Sequence, residues 1–121
     1  KIICISSICG VESIDGAPIG YSIAKSALNF YIKLISKELA NKNITINGIV
    51  PGNIIFKGST WDLKIKKNYI KTKIYIKNNV PINNFGTPND IFEVCKMISE
   101  NRSKFITGSL FKIDGGQTKG F

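Results

Sequence analysis

The sequence predicts an α/β fold in which a parallel sheet carries helices on its faces. Three observations predict it. Three short apolar runs, Lys1 to Ser6, Ile44 to Val50 and Ser109 to Ile113, are rich in β-branched residues and have strand character. Segments of helical period stand between them. The connections are too long for hairpins and long enough to cross between parallel strands.

Taken in order, Lys1 to Ser6 (KIICIS) reads as a fully buried strand. Ser7 to Gly20 is a loop carrying Gly10, Gly16, Pro18 and Gly20. From Tyr21 to Asn41 the period becomes helical. Ala24, Leu28, Tyr31, Ile35 and Leu39 recur at three and four residues and predict one buried stripe, with Lys33, Lys37 and Glu38 largely off it. Ile44 to Val50 (ITINGIV) is the second strand, closed by Pro51-Gly52. Asn53 to Thr60 is a loop. Trp61 to Asn79 is lysine-rich and only weakly helical in period, and Val80 to Gly86 is irregular. Thr87 is a good N-cap with Pro88 in the first helical position. That helix runs through Ile91, Val94, Cys95 and Ile98 to about Asn101. Ser109 to Ile113 is the third strand, stopped by Asp114-Gly115-Gly116. No repeat, low-complexity tract or linker divides residues 1–121 into two domains.

Composition narrows the chemistry. The 121 residues are 43% hydrophobic and 21% charged, which is the globular range. Histidine is absent, so Ser-His-Asp and Cys-His nucleophile systems are excluded within this chain. Acid–base chemistry near neutrality falls to Tyr, Lys, Cys or a carboxylate. Cys4, Cys9 and Cys95 are an odd number without C-x-x-C spacing, which argues against a metal knuckle or disulfide scaffold and for a reducing cytoplasm. No metal site is expected. Cys4 and Cys95 lie in apolar runs and are expected to be buried. No stretch has the length of a membrane span, and no signal peptide is expected.

The net charge of +9 suits a phosphate-bearing partner or simply a solvated lysine surface. Lys, Ile and Asn, all with AT-rich codons, make up 51 of the 121 residues, and compositional drift is the simpler source of the charge. Arg102 is the single arginine, and DNA readers favour arginine, so no nucleic-acid partner is expected. The lysines around Trp61 suit an anionic substrate group or a solvated face.

Tyr21-Ser-Ile-Ala-Lys25 is the first chemical constellation. Residues i and i+4 share one helix face. An ammonium beside a phenol favours the phenolate, so the pair can exchange a proton with a carbonyl or alcohol oxygen. Alone, the pattern is also an ordinary surface ring over a lysine stem. Fourteen residues earlier Ser7 follows the first strand, and Pro51-Gly52 follows the second. Open α/β sheets bind ligands at this carboxyl edge.

These segments together resemble the short-chain dehydrogenase/reductase family, over its C-terminal half. The matching runs are ISSICG (Ile5 to Gly10), YSIAK (Tyr21 to Lys25), NITINGIVPG (Asn43 to Gly52), FGTPNDI (Phe85 to Ile91) and ITGSLFKIDGG (Ile106 to Gly116). The nearest likeness is to 3-oxoacyl-carrier-protein reductases and sugar-nucleotide-pathway reductases of that family. The resemblance implies a doubly wound, Rossmann-like dinucleotide-binding fold, of which this chain holds three strands with flanking helices. It implies hydride transfer between NAD or NADP and a small-molecule carbonyl or alcohol. Ser7 would bond the substrate oxygen. Tyr21 would be the general acid/base. Lys25 would hold the ribose hydroxyls and assist Tyr21. Pro51 and Gly52 would line the nicotinamide pocket, with the Ile54 backbone near the carboxamide. Residues 53–80 would form the substrate lid. The complete protein would be a homo-oligomer, dimer or tetramer.

Several positions depart from the family pattern. The Ser7-to-Tyr21 spacing is one residue longer than the commonest one, and Ser6 is a rival for the serine role. Ser7 is preferred because the small-x-x-Gly phase then falls on Gly10. Phe56 stands where many members carry a carboxamide-bonding Thr, and Asn84 where a basic residue is usual. The glycine-rich phosphate turn, the residue that selects NAD or NADP and the catalytic Asn belong upstream of Lys1. The competing expectation is a truncated, non-catalytic remnant or an oligomerising half-domain.

Overall fold

A computed structural model describes residues 1–120. The strands are β1 (Ile2–Ile5), β2 (Ile46–Pro51) and β3 (Leu110–Ile113). The α-helices are α1 (Ile19–Ala40), α2 (Thr60–Lys67), α3 (Tyr69–Asn79) and α4 (Pro88–Glu100), and a 3₁₀ turn spans Ile8–Gly10. The strands form one sheet in the order β1-β2-β3, and both pairings are parallel. This is the expected α/β architecture.

β2 is central, and its first five residues are all buried. It packs against both α1 and α4. Ile32, Ile46, Ile49, Val50 and Ile98 form the core around the sheet. Full burial of one such side chain contributes about 1.5–3 kcal/mol. Asn47 is buried within this apolar strand but fully engaged. Its Nδ2 donates to the Ile106 carbonyl at 3.0 Å, and its Oδ1 accepts from Ser109 N–H at 3.1 Å. The pair fixes the chain as it enters β3.

Three expectations need correction. β1 is the sheet edge, the place expected of it when only the family's last three strands are present, and there Ile2 and Ile5 are 41% and 47% exposed rather than buried. An edge strand has no neighbour on one flank, so periodicity alone misjudges its burial. In α1 the stripe is rotated. Ala24 and Tyr31 are exposed, whereas Asn29, Ile32 and Ser36 are buried and Leu28, Ile35 and Leu39 half-buried. The contact with the Ser7 turn and β2 selects this narrower, more polar face. Ile19, Ile23, Phe30 and Leu34 are left exposed on the outer side. Cys4 and Cys95 are half-buried free thiols.

The ambiguous stretch resolves into two helices. Asn68 separates them, and its Oδ1 caps α3 by accepting from Lys71 N–H at 2.9 Å. A second small core of Ile76, Val80 and Phe85 lies beneath, with Trp61 and Tyr75 packed against it. α4 begins as expected. The Asp90 carboxylate accepts from the Thr87 N–H at 2.6 Å and from its hydroxyl at 2.7 Å, and these bonds hold its carboxyl below the usual range.

Candidate active site

The carboxyl ends of β1 and β2 bring the predicted residues to one rim. Ser6 N–H donates to Ile49 O at 2.7 Å, so the chain leaving β1 stays registered on β2. Ser7 follows and caps the 3₁₀ turn, its Oγ accepting from Cys9 N–H at 3.2 Å. Ser6 Oγ instead donates to the Lys25 carbonyl at 3.3 Å. The two serines therefore differ. The Ser6 O–H is committed to the backbone, whereas the Ser7 oxygen only accepts and its O–H is free to donate.

The turn after Ser7 lies directly on α1. A Cβ at Gly10 would come within 2.5 Å of the Lys25 carbonyl carbon, so only glycine fits. Asn29 Nδ2 donates to the Gly10 carbonyl at 3.0 Å and reinforces the contact. On the same helix Lys25 Nζ donates to the Ile5 carbonyl at 2.8 Å and lies 5.7 Å from the centre of the Tyr21 ring. Tyr21 is 45% exposed, and its hydroxyl has no hydrogen-bond partner among the described residues. Lys25 thus joins the end of β1, two residues before Ser7, to the free Tyr21 phenol on α1. That set can bind a carbonyl oxygen and pass it a proton.

The second strand contributes the next wall. Gly52 N–H donates to Ile113 O at 2.9 Å. A Cβ at Gly52 would come within 2.7 Å of Asp114 Cα, which explains Pro-Gly at the strand end. Beyond it Ile54 pairs with Gly86 through an isolated parallel bridge. The bridge uses the Asn53 carbonyl (3.0 Å) and the Ile55 N–H (2.8 Å). The Ile54 N–H and C=O have no partner among the described residues and stay available to a ligand. The Phe56 ring is 55% exposed, while its N–H donates to Ser59 Oγ at 3.2 Å.

α2 and α3 bear six of the lysines, three of which are already engaged. Lys64 Nζ lies 4.3 Å from the Trp61 ring centre, Lys73 Nζ lies 5.9 Å from that of Tyr69, and Lys66 pairs with Asp62 at 2.7 Å. Trp61 contacts Tyr75 and Phe85 with ring centres 5.2 and 5.5 Å apart. Burial pushes the Tyr75 hydroxyl pKa up, the Gln117 amide beside it opposes this, and Asp15 and Cys9 raise it further. Nothing local singles out Asn53, Tyr75 or Gln117, although Asn53 directly follows Pro51-Gly52 and Gln117 directly follows Asp114-Gly115-Gly116. An open groove of about 390 Å³ lies between the Ser7 loop and the start of α1, lined by Cys9, Gly10, Val11, Ser22, Ile23 and Ser26. Tyr21 and Lys25 do not line it. Among the described residues no cluster of three or more His, Cys, Asp or Glu side chains is placed to hold a metal ion. No described helix is long and apolar enough to cross a membrane.

A parallel sheet flanked by helices, with polar side chains gathered at the strand ends, defines a Rossmann-like α/β protein of the dinucleotide-binding type. The family model described as Enoyl-(Acyl carrier protein) reductase matches residues 1–118. A 3-oxoacyl-[acyl-carrier-protein] reductase of Chlamydia muridarum is 35% identical over 118 residues, covering 95% of this chain and 44% of the relative. An acetoacetyl-CoA reductase of Cupriavidus necator is 31% identical, covering 96% of this chain and 44% of the relative. Among solved structures, a 4-hydroxyisoleucine dehydrogenase complexed with NADH superposes with a TM-score of 0.85 at 31% identity, over 99% of this chain and 47% of that one. An NADPH-dependent reductase involved in bacilysin biosynthesis also gives 0.85, at 28% identity, over 100% of this chain and 48% of that one. The chain belongs to the short-chain dehydrogenase/reductase family, and it spans less than half the length of these relatives.

Proposed function

We propose that this chain is the catalytic half of an NAD(P)-dependent oxidoreductase acting on a small carbonyl or alcohol. The observation that carries the reading is the rim itself, with Ser7 O–H, Tyr21 and Lys25 on adjoining turns beside Pro51-Gly52. Ser7 donates to the substrate oxygen and holds it against Tyr21. In reduction the Tyr21 phenol gives its proton to that oxygen; in oxidation it takes the proton back. Lys25 binds the ribose hydroxyls and keeps positive charge beside Tyr21. The residues present fit the nicotinamide end of NAD or NADP. Gly52 lets the backbone approach closely, and the Ile54 N–H and C=O are unpaired and suit a carboxamide. The cofactor, when bound, supplies or accepts the hydride.

On this reading residues 1–121 are a partial domain and residues 53–80 are its substrate lid. The pyrophosphate site belongs to a strand, glycine-rich turn and helix outside the chain. The exposed apolar face of α1 supports a homo-oligomer of the complete protein.

The test is fluorescence titration with NADH and NADPH. The 121-residue chain alone is expected to associate through the exposed β1 edge and to bind neither cofactor. The same chain joined to a nucleotide-binding half is expected to bind one of them saturably and to reduce a carbonyl. Micromolar binding by the chain alone would overturn the half-domain reading. A monodisperse joined protein that binds neither cofactor would overturn the oxidoreductase reading and favour the non-catalytic remnant.

A further inference from the structure

The stretch between the Ser7 turn and α1 has few anchors of its own. Val11 and Glu12 N–H donate to the Ile8 carbonyl at 2.9 and 3.0 Å, and Ala17 N–H donates to that of Ile14 at 3.0 Å. All three bonds are local. Ser13, Asp15 and Gly16 are exposed. Among the described residues, the hydrogen bonds that leave residues 11–17 for a distant segment are both made by the Glu12 carboxylate. Its Oε1 accepts from the Lys119 N–H at 2.6 Å and from the neighbouring Gly120 N–H.

The segment that Glu12 grips is itself well held. The Asp114 carboxylate folds it back, accepting from Gly116 N–H at 3.0 Å, Thr118 N–H at 2.9 Å and the Thr118 hydroxyl at 2.6 Å. The buried Asn53 side chain donates from Nδ2 to Gln117 Oε1 at 2.7 Å. The Lys112 ammonium, on β3, donates to the Gly120 carbonyl. Gly120 is thus held at its N–H by Glu12 and at its C=O by Lys112. A Cβ at Gly120 would stand 3.3 Å from Glu12 Oε1, so the segment lies close against the carboxylate.

Bonds from backbone N–H groups to a carboxylate are charge-assisted and stronger than neutral ones. Loops with few bonds of their own open locally at little cost. Here a well-anchored segment meets a loosely anchored loop, so the constraint runs from the segment to the loop. Glu12 also lines the open groove between this loop and α1, together with Cys9, Ser22 and Ser26. We propose that Glu12 is a positioning residue that fastens the Ser7 loop to the segment after β3 and so sets how far the groove opens. Its consequence for a substrate rests on the functional reading above. The fastening itself does not.

Cys9 reports on the opening, because its half-buried thiol lines the same groove. Cys95, on α4, is the reference within the same molecule. Alkylation of the 121-residue chain by N-ethylmaleimide, followed thiol by thiol through peptide mass spectrometry, measures both. Glu12→Ala is expected to raise the Cys9 rate about fivefold, one net hydrogen bond's worth, with Cys95 unchanged. Ending the chain at Thr118 removes both donors and is expected to give the same rise. The two changes together are expected to give no more, because both cut one link. Glu12→Gln keeps an oxygen that accepts from both N–H groups and is expected to restore most of the protection. Should the shortened chain fail to fold, the Ala and Gln variants decide alone. In the chain joined to a nucleotide-binding half, with acetoacetyl-CoA as the carbonyl probe, Glu12→Ala is expected to raise the KM for the probe about fivefold and to leave that for NAD(P)H unchanged. A joined protein that does not reduce this probe is judged on the labelling alone. Unchanged Cys9 labelling in Glu12→Ala, equal damage in the Ala and Gln variants, or a matching rise at Cys95 would overturn the proposal. Altered Cys9 labelling in a joined protein that binds neither cofactor would support the fastening and overturn the oxidoreductase reading instead.

Discussion

The two walls of the cleft are held by different means. The rim that carries Ser7, Tyr21 and Lys25 is fixed on main-chain atoms. Ser6 N–H binds Ile49 O, Lys25 Nζ binds Ile5 O, and Gly10 lies against the Lys25 main chain. The α2–α3 wall packs chiefly through side chains, in the Trp61–Tyr75–Phe85 cluster. Backbone anchors tolerate few residue types, so they leave motifs. Side-chain anchors tolerate many solutions, so they leave little trace. The rim is therefore where chemistry is expected to be lost outright, and the lid wall is where affinity is expected to be tuned.

The contrast can be broken most severely at Tyr21. In the chain joined to a nucleotide-binding half, Tyr21→Phe is expected to cut turnover by about 10²–10⁴-fold, the usual contribution of a positioned acid–base group, with cofactor affinity nearly intact. Lys25→Ala is expected to lower both rate and cofactor affinity. Steady-state kinetics with cofactor titration separates the two, and normal turnover in Tyr21→Phe would end the assignment.

The two serines give the next largest effect. Ser7→Ala is expected to lose far more rate than Ser6→Ala, because only the Ser7 O–H is uncommitted. Ser6→Ala is expected to lower stability by about 1 kcal/mol through its lost bond to the Lys25 carbonyl. Matched melting curves and rates check both statements. The opposite ranking of rates would transfer the carbonyl-binding role to Ser6.

On the lid side the effects are smaller. Phe56→Thr replaces an exposed ring with the hydroxyl common in the family at this position. It is expected to lower the cofactor KM by no more than about 1 kcal/mol of binding. No change would mean that a backbone group, such as that of Ile54, holds the carboxamide alone.

The smallest effect concerns acid stability of the terminal turn. Burial alone would push the Asp114 carboxyl up, but Thr118, Gly116 and Lys112 more than offset it and hold the pKa below the usual 3.8. A depressed carboxyl contributes stability that is present above pH 3.8 and fades as pH falls through the lower folded value. Thr118→Val removes the hydroxyl donor and raises the folded pKa toward the unfolded one. Acid unfolding is then expected to begin at slightly higher pH, with under about 1 kcal/mol lost at neutrality, since solvent screens this partly exposed group. An unshifted acid-unfolding midpoint would show that the bond contributes nothing.

Local sequence determined much of this protein. Three β-branched runs, the Thr87-Pro88 helix start and the Asp114-Gly115-Gly116 stop each act within a few residues, so each was legible without the fold. The family motifs were legible for a related reason. Gly10 and Gly52 stand where no Cβ fits, and such positions narrow the choice to one residue type. Tertiary structure decided the rest. It set how far the edge strand β1 is covered, leaving the apolar Ile2 and Ile5 exposed. It rotated the buried face of α1 onto Asn29, Ile32 and Ser36, because contact with the Ser7 turn outweighed hydrophobic periodicity. It also joined Asn53 to Gln117 across 64 positions. A hydrogen bond between distant side chains depends on the path of the whole chain, and neither residue carries a local sign of it.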